Sequence, residues 1–457
     1  MKYESQKIVY NYFVIATLLF GLQVIFGLIT GAKYVWDFDP LINILPFNTS
    51  RAIHLNLLIV WLLFGFMGGT YYLVPEEAET DIYSGKLANI QLYLLAVIGI
   101  TAIAGYVLGW SWGMPFLEQP TVLKIGIVIV ALIFLFNIFM TMMKTRKWTA
   151  IQTVLLTGLI LLALLFLCGI FFMKNLTAQY YYWFWVIHLW TEGAWELIAS
   201  AMMAFVLLKL TGVDRELVEK WLYVEVGLVL FTGVAGTGHH YYWIGTPKYW
   251  LWVGAVFGAL EPVPILLMVM DTLRHVREKK IEIENKIVLY WAVGSAVLHF
   301  FGAGVWGLAH NFPQVNQWTH GTQVTASHGH FAFFGAYVML NVTMIYFAIP
   351  KLKGTRIFER GLSLMALRTM TFSMIMMVLA FAVAGIVQIY LQRVLGMDYL
   401  TTQKFMRPWF ILLWISGWGF AVGVLMFIID FFTLPQVKPS PVTPSSQREL
   451  GHHLSEQ

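Results

Sequence analysis

Charge is scarce in this chain of 457 residues: Asp, Glu, Lys and Arg make up 12%, against about 25% in soluble proteins. Hydrophobic residues reach 59%, and the mean hydropathy is +0.71. This composition excludes an ordinary soluble domain and indicates a polytopic membrane protein that lies in a lipid bilayer. The net charge of +5 is mostly a topology signal, so nothing in it indicates nucleic-acid binding.

Cysteine is almost absent, since Cys168 is the only one and lies inside an apolar run. A disulfide framework, a Cys-rich zinc site and an iron–sulfur cluster are therefore excluded. No C-x-x-C-H motif occurs either, so the sequence has no attachment site for c-type haem. Aromatic residues, by contrast, reach 16%, which is typical of interface belts or of packing around flat cofactors.

Apolar runs of about 20 residues, the length that spans a bilayer, number twelve. We predict an all-α polytopic membrane protein with a single twelve-helix transmembrane domain at 1–434, followed by a disordered cytoplasmic tail at 435–457. Twelve spans place both termini on one side, and the Lys and Arg excess on that side predicts that both termini are cytoplasmic. The runs are 10–32, 54–75, 88–110, 123–144, 151–173, 181–208, 218–244, 249–272, 287–311, 325–350, 364–396 and 407–433.

Intramembrane histidines share one depth on this topology. Imidazole inside lipid is costly and usually marks function. Counted at ~1.5 Å per residue from the span ends, six histidines from four spans fall in the outer half of the bilayer. We expect them to converge on metal centres; they are His54, His188, His239, His240, His328 and His330.

His328 and His330 lie two residues apart on one predicted helix. On an α-helix such a pair points roughly 200° apart, so the two imidazoles can serve different metals with the helix between them. Together with His54 they would supply a flat cofactor with two axial imidazoles and another with one, which fits haem. Gly329 would let a flat ring approach the backbone, or it is a simple packing residue.

A second set of ligands combines histidines with a carboxylate. His188 and Glu192 are spaced i, i+4 on one helical face, and His239-His240 adds two adjacent imidazoles. Nitrogen with carboxylate oxygen suits iron, manganese or zinc, and the carboxylate argues against an all-imidazole copper site. The alternative is that Glu192 is a hydrogen-bonded core carboxylate or a proton relay.

The motifs H-L-W-T-E-G-A-W-E at 188–196, T-G-H-H at 237–240 and S-H-G-H-F at 327–331 resemble those of one family. It is the catalytic, cytochrome b subunit of bacterial cytochrome c-dependent nitric oxide reductases, in the haem–copper oxidase superfamily. The resemblance implies axial ligation of a low-spin haem b by His54 and His330, and of a high-spin haem b3 by His328. It further implies a non-haem iron held by His188, His239, His240 and Glu192.

The resemblance also implies the reaction and its setting. Two NO would be reduced to N₂O and water at the haem b3/iron centre, in a bacterial inner membrane, with the site toward the periplasm. A small membrane-anchored cytochrome c subunit would form a heterodimer with this chain and pass electrons to haem b. The start of the first span close to Met1 and the lack of C-x-x-C-H both favour this cytochrome c-dependent class.

Two other functions remain open at this point. Oxygen-reducing relatives typically place a tyrosine where Glu192 stands, and a carboxylate cannot act as a redox-active phenol, but a cbb3-type oxygen-reducing terminal oxidase with copper is the first alternative. The second, a twelve-span transporter, would contain no haem. Metal content and an absorption spectrum distinguish the three.

Further acids complete the predicted site. Glu196 and the mid-membrane Glu261 join Glu192 as groups that keep the pocket polar and deliver protons, although Glu261 could instead be a neutral acid bonded to a carbonyl freed by a nearby proline. By resemblance Glu118 matches a calcium-binding position, whereas the sequence shows only a loop acid. Arg51 is expected at a haem propionate or at the interface. His299, His310 and His320 receive no ligand role.

Overall fold

The computed structural model describes residues 2–36, 43–112, 114–258, 260–355 and 361–435. Within these ranges the chain forms fourteen helices and no strand, which confirms the all-α prediction. The predicted tail lies, from residue 436 onward, outside the described residues. The helices are α1 Gln6–Val35, α2 Phe47–Ala78, α3 Gly85–Val107, α4 Thr121–Thr145, α5 Ala150–Cys168, α6 Leu176–Thr211, α7 Arg215–Gly236, α8 Lys248–Phe257, α9 Val263–Glu278, α10 Lys286–Asn311, α11 Pro313–Thr319, α12 Gln323–Lys353, α13 Gly361–Val394 and α14 Tyr399–Thr433.

Ten of the described helices are long and apolar enough to cross a membrane: α1 to α6, α10 and α12 to α14. The predicted seventh span corresponds to α7, which has 22 residues but carries several charged side chains in its first half. The predicted eighth span is formed by two shorter helices, α8 and α9. The twelve predicted crossings are therefore found as ten apolar helices, one charged helix and one broken span.

The break in the eighth span has a local cause. A residue before proline is disfavoured in the helical region, and Glu261 precedes Pro262. Pro264 lies in the first turn of α9, where a missing N–H costs little because first-turn N–H groups have no partner inside the helix. The break therefore leaves Glu261 at a helix interruption inside the bundle.

The most enclosed helices are those that carry the predicted ligands. In α2, α6 and α12, 83%, 83% and 89% of the most apolar window is buried, compared with 33% in α1 and 28% in α4. Imidazole and carboxylate groups need partners when removed from water. The ligand-bearing helices thus form the centre of the bundle, and the other spans shield them from lipid.

Side chains at the helix starts fix where two of these central helices begin. Asn175 accepts a hydrogen bond from the backbone N–H of Ala178 at 3.0 Å and so caps α6. Thr322 accepts one from the N–H of Val324 at 3.3 Å and caps α12. Such caps satisfy N–H groups that the helix itself leaves unpaired. They set the register at which the histidines further along enter the bundle.

Candidate metal centre

A π-helical turn interrupts α6 at Leu189–Ala194, directly after His188. In it the N–H of Trp195 donates to the carbonyl of Trp190, five residues back. Such turns insert one extra residue into a helix and are frequent at functional sites. Here the turn brings His188 Nδ1 to 3.3 Å from Glu192 Oε2, so the predicted pair does share one face.

The two adjacent histidines lie in a 3₁₀ turn, Thr237–His240, that follows α7. Their Nε2 atoms are 3.0 Å apart. Both approach the same carboxylate: His240 Nε2 lies 3.2 Å from Glu192 Oε1, and His239 Nε2 lies 3.7 Å from Glu192 Oε2. The structure therefore gathers all four predicted ligands, from α6 and the turn after α7, around one point.

Two glycines that follow the His239 turn allow α8 to pack closely against it. A Cβ built on Gly258 would lie 2.5 Å from His239 Nδ1, and one on Gly254 would lie 2.2 Å from the backbone nitrogen of His239. The absence of side chains lets α8 lie against the turn, where His239 Nδ1 donates to the carbonyl of Gly254 at 3.4 Å. A hydrogen bond at Nδ1 directs the other nitrogen, Nε2, toward a metal.

The donor set fits a metal ion. One potential ligand atom from each of the four residues lies within 4.8 Å of the others, and no other described cluster of this kind is found. Two nitrogen or oxygen ligands at about 2.1 Å from one ion lie at most about 4.2 Å apart, so a pair at the 4.8 Å limit would have to close by about 0.6 Å. Both ring nitrogens of His188 are buried and make no hydrogen bond, and an ion at this point would provide a partner for one of them.

The cluster opens toward the inside of the bundle. The side chains of Glu192 and His240 keep 34% and 29% of their surface accessible, whereas that of His188 keeps none. Because α6 is enclosed at this level, this surface faces an internal space. His328 of α12 lies within electrostatic range of Glu192 and His240. Its Nδ1 donates to the carbonyl of Gly302 at 3.0 Å, which leaves Nε2 for a ligand.

His330 points away from that space and toward His54 of α2. The two imidazoles have ring centroids 6.4 Å apart and planes 23° from parallel. Metal–nitrogen bonds of about 2 Å on opposite sides of one iron place two such centroids about 6 Å apart. His54 Nδ1 donates to the carbonyl of Gln23 at 2.9 Å, and His330 Nδ1 donates to that of Ala326 at 2.8 Å. Both Nε2 atoms are thus unprotonated and able to bind an axial metal, although that of His54 also lies 3.4 Å from the side-chain amide nitrogen of Gln23.

A cavity of about 220 Å³ contains this histidine pair. Arg51 is among the residues that line it. No atom from another part of the chain lies within 4 Å of a Cβ built on Gly329, so Gly329 does not serve helix packing in the described structure. Other lining residues include Gly27, Gly31, Met374, Phe381 and Phe420.

The predicted acids lie close to the metal cluster. Glu196 is buried, and the Tyr337 hydroxyl lies 3.1 Å from its Oε1. Glu261 is also buried, and its Oε1 accepts a hydrogen bond from the hydroxyl of Thr232 at 2.9 Å. Its observed partner is thus a threonine hydroxyl on α7, not a carbonyl freed by a proline. Both acids retain a carboxyl oxygen on which a proton can reside.

Three buried groups of the site escaped sequence reasoning. His299, which received no role, has Nε2 3.0 Å from Glu196 Oε1. Tyr337 joins Glu196 to the π-helical turn of α6 by its second contact, with the carbonyl of Thr191 at 2.5 Å. Glu225 of α7 is fully buried. Glu225, like Glu261, is an acid within an apolar run, and this pattern could have marked it as functional.

Two further residues named in the sequence analysis, His310 and Glu118, have polar partners of their own. His310 Nδ1 is 2.7 Å from the hydroxyl of Thr319. Glu118, in the loop before α4, is buried and its Oε2 accepts a hydrogen bond from the amide of Asn56 at 2.9 Å. Burial raises the pKa of the Glu118 carboxyl above its ordinary value. These contacts tie the loop to α2 beside the histidine-lined cavity.

Residues 7–432 match the family described as cytochrome c and quinol oxidase polypeptide I. The chain therefore belongs to this family, whose members are oxidoreductases with haem and metal cofactors. Within it, the chain is 47% identical over 453 residues to a nitric oxide reductase polypeptide of Stutzerimonas stutzeri, covering 94% of this chain and 95% of the relative. The predicted resemblance to nitric oxide reductases is thereby confirmed.

A solved structure agrees on the fold. A haem–copper terminal oxidase dimer determined by cryo-electron microscopy superposes with a TM-score of 0.73, over 96% of this chain and 85% of that chain, at 15% sequence identity. The helical architecture is therefore that of haem–copper oxidases, as predicted. A multi-pass membrane location follows from the ten apolar helices of the described residues.

Proposed function

We propose that this chain is the catalytic subunit of a nitric oxide reductase, which converts two NO, two electrons and two protons to N₂O and water. The observation that carries this proposal is the set of three imidazoles and one carboxylate within 4.8 Å. A carboxylate among the ligands favours iron over copper, and the relative from S. stutzeri is named as part of a nitric oxide reductase.

The residues would divide among three cofactors. His54 and His330 would hold a low-spin haem b, His328 a high-spin haem b3, and the His188, Glu192, His239 and His240 cluster a non-haem iron. When bound, these groups supply the electrons and the Lewis-acid sites for two NO molecules. The separate directions of His328 and His330, toward Gly302 and toward His54, support this division.

The chain's own side chains would orient the metal ligands and deliver protons to the reaction. Glu192 is aligned by the π-helical turn of α6, and His239 by the close approach of α8. Glu196 and Glu261 lie buried behind the cluster and would keep the pocket polar and pass protons to the oxygen that leaves as water. Arg51, on the wall of the His54 cavity, would pair with a haem propionate through its planar guanidinium group.

Electrons would come from a separate small membrane-anchored cytochrome c subunit. The sequence has no C-x-x-C-H motif, so a c-type haem would have to belong to a partner. The Lys and Arg distribution supports cytoplasmic termini in an inner membrane with the site toward the periplasm. Protons would then enter from the periplasmic side.

Calcium is the least supported of the proposed cofactors. Calcium takes six to eight oxygen ligands, and Glu118 has its carboxyl bonded to Asn56 outside the one described cluster of metal-ligating side chains. A calcium ion there would draw its other ligands from groups beyond such a cluster, haem propionates included. Removal of calcium with a chelator, followed by thermal unfolding of the purified complex, tests this: a bound ion predicts a lower unfolding temperature.

The function itself is tested by product analysis. Purified complex with an artificial electron donor is expected to consume NO and release one N₂O for every two NO. A Glu192→Gln variant should lose this activity by more than about 100-fold, because outer-shell changes alone cost 10–100-fold at metal sites. Glu216→Gln, an exposed acid of α7, serves as the control. Oxygen consumption without N₂O formation would favour the oxidase instead.

A further inference from the structure

Glu225 is a buried acid with no hydrogen-bond donor. It is 0% exposed, and neither carboxyl oxygen has a hydrogen-bond partner. A carboxylate left charged and unpaired inside a protein is strongly unfavourable, so an acid at such a position is expected to carry a proton. Its presence therefore indicates a role in holding a proton.

The surroundings of Glu225 are the acids of the metal site. It lies within electrostatic range of Glu196 on α6 and of Glu261. Seven residues along, on the same buried face of α7, the hydroxyl of Thr232 donates to Glu261 at 2.9 Å. Glu225 thus adds a third buried acid to Glu196 and Glu261. It lies further along α7 from the histidine cluster, toward the Arg215 end of the helix.

No further acid follows Glu225 on this face toward the Arg215 end of α7. The next residues on the same buried face of α7 are Leu222 and Val218, both fully buried and apolar. About 15 Å of helix separates Glu225 from Arg215 at ~1.5 Å per residue. On the α7 face the acids therefore form a dead end, which can store a proton but offers no side chains to carry one from the helix end.

Glu196 connects this store to the metal cluster. The Tyr337 hydroxyl is 2.5 Å from the carbonyl of Thr191 and 3.1 Å from Glu196 Oε1. One hydroxyl has one hydrogen, and a carbonyl cannot donate. When Tyr337 donates to Thr191, its contact with Glu196 is satisfied only if Glu196 carries a proton. Glu196 is thus placed to exchange a proton one helical turn from Glu192.

His299 provides a second place for that proton. Its Nε2 lies 3.0 Å from Glu196 Oε1, and its side chain is only 2% accessible. The imidazole comes from α10, whereas Glu225 belongs to α7. A protonated imidazole beside a carboxylate and a neutral imidazole beside a carboxylic acid are alternative forms of one pair.

We propose that Glu225 and His299 form, with Glu196, a buried proton store on the Arg215 side of the metal centre. The other titratable groups that face it are Glu261 at the break before α9 and Tyr337 of α12. The store would release a proton through Glu196 when electrons reach the centre and would be refilled from the centre side afterwards. The proposal rests on the proposed function, because NO reduction consumes two protons with two electrons.

Infrared difference spectroscopy of the loaded complex tests the store without NO. Reduction of the cofactors by an electrode should perturb a carboxylic-acid C=O band in the wild type. Glu225→Gln, which keeps the shape of the side chain, should abolish or shift that band, while Glu216→Gln on the same helix should leave it unchanged. A wild type without such a band, or a band retained in Glu225→Gln, would overturn the proposal.

A kinetic arm separates this proposal from the function itself. Wild-type complex that fails to consume NO would contradict the proposed function while leaving the infrared result valid. If NO is consumed, Glu225→Gln and His299→Asn should each slow turnover several-fold and change its pH profile, with haem and iron content unchanged. The double variant should be no slower than the slower single variant, because both residues serve one store. Wild-type rates and pH profiles in both single variants would also overturn the store.

Discussion

His54 and His330 face each other across the bundle, from α2 and α12, with ring centroids 6.4 Å apart and planes 23° from parallel. Each donates its Nδ1–H to a backbone carbonyl, of Gln23 and Ala326 respectively. Both Nε2 atoms are thereby left unprotonated and can bind a shared axial metal once the Gln23 amide, 3.4 Å from His54 Nε2, gives way. The spacing of this pair is the strongest geometric support for a haem between α2 and α12.

Replacing one member of the pair should remove one haem. We expect His330→Ala to lose the low-spin haem b, because one axial imidazole does not hold a six-coordinate iron, and to retain the haem at His328. The haem b content, measured after extraction, should fall from two per chain to one, and the low-spin absorption band should be lost. NO consumption should fall by more than about 100-fold.

His275→Ala is the control for this change, since His275 lies in the last turn of α9, away from both histidine groups. It should keep both haems. Retention of the low-spin band in His330→Ala would show that another residue supplies the axial ligand.

Gly258 offers a test of how the non-haem metal site is built. A Cβ there would lie 2.5 Å from His239 Nδ1, so Gly258→Ala should displace this imidazole and lower the non-haem metal content at least several-fold, with haem content kept. Metal analysis of the purified complex measures this. Gly227→Ala on α7, where a Cβ meets no atom within 4 Å, should keep the metal. Equal metal content in both variants would show that Gly258 is not needed to position His239.

The ligands were accessible to sequence reasoning because membrane burial makes imidazole and carboxylate conspicuous. Helical spacing predicted that His188 and Glu192 share one face and that His328 and His330 point apart. In the structure His188 lies beside Glu192, and His330 faces His54. Length and hydropathy gave the all-α fold for a related reason, since backbone groups in lipid must pair within each span.

Other features depend on contacts between distant segments. No pattern near Leu189 predicts a π-helical turn, because the turn is stabilised by Tyr337 across the bundle, 2.5 Å from the carbonyl of Thr191. His299 had no role by sequence because its partner Glu196 lies on another helix. The eighth span was predicted as continuous since its hydropathy is continuous; the break at Pro262 follows from backbone sterics.

Tyr337→Phe should destabilise the π-helical turn. It removes the hydroxyl that contacts the carbonyl of Thr191, and the loss of one hydrogen bond costs about 0.5–1.5 kcal/mol. We expect a lower unfolding temperature in detergent and a lower affinity for the non-haem metal. Tyr290→Phe, with a half-exposed ring on α10, is the matched variant. If both unfold like the wild type, the Tyr337 contact does not hold the turn.

His320 predicts a pH dependence of stability. Burial, together with the charges of His240 and Arg393, lowers the pKa of His320 to about 4. The unfolded chain binds this proton near pH 6.5, so the stability that His320 contributes is present above pH 6.5 and is lost as pH falls toward 4. The loss at pH 5 is about 1–2 kcal/mol. The unfolding temperature should therefore drop less between pH 7 and pH 5 in His320→Gln than in the wild type; equal drops would contradict this.

The most direct test of the proposed iron centre is the metal content of the purified complex. We predict two b-type haems and one non-haem iron per chain, with copper far below one per chain. Glu192→Gln should lose the non-haem iron while both haems remain. Stoichiometric copper, or iron that is fully accounted for by haem, would contradict a non-haem iron held by His188, Glu192, His239 and His240.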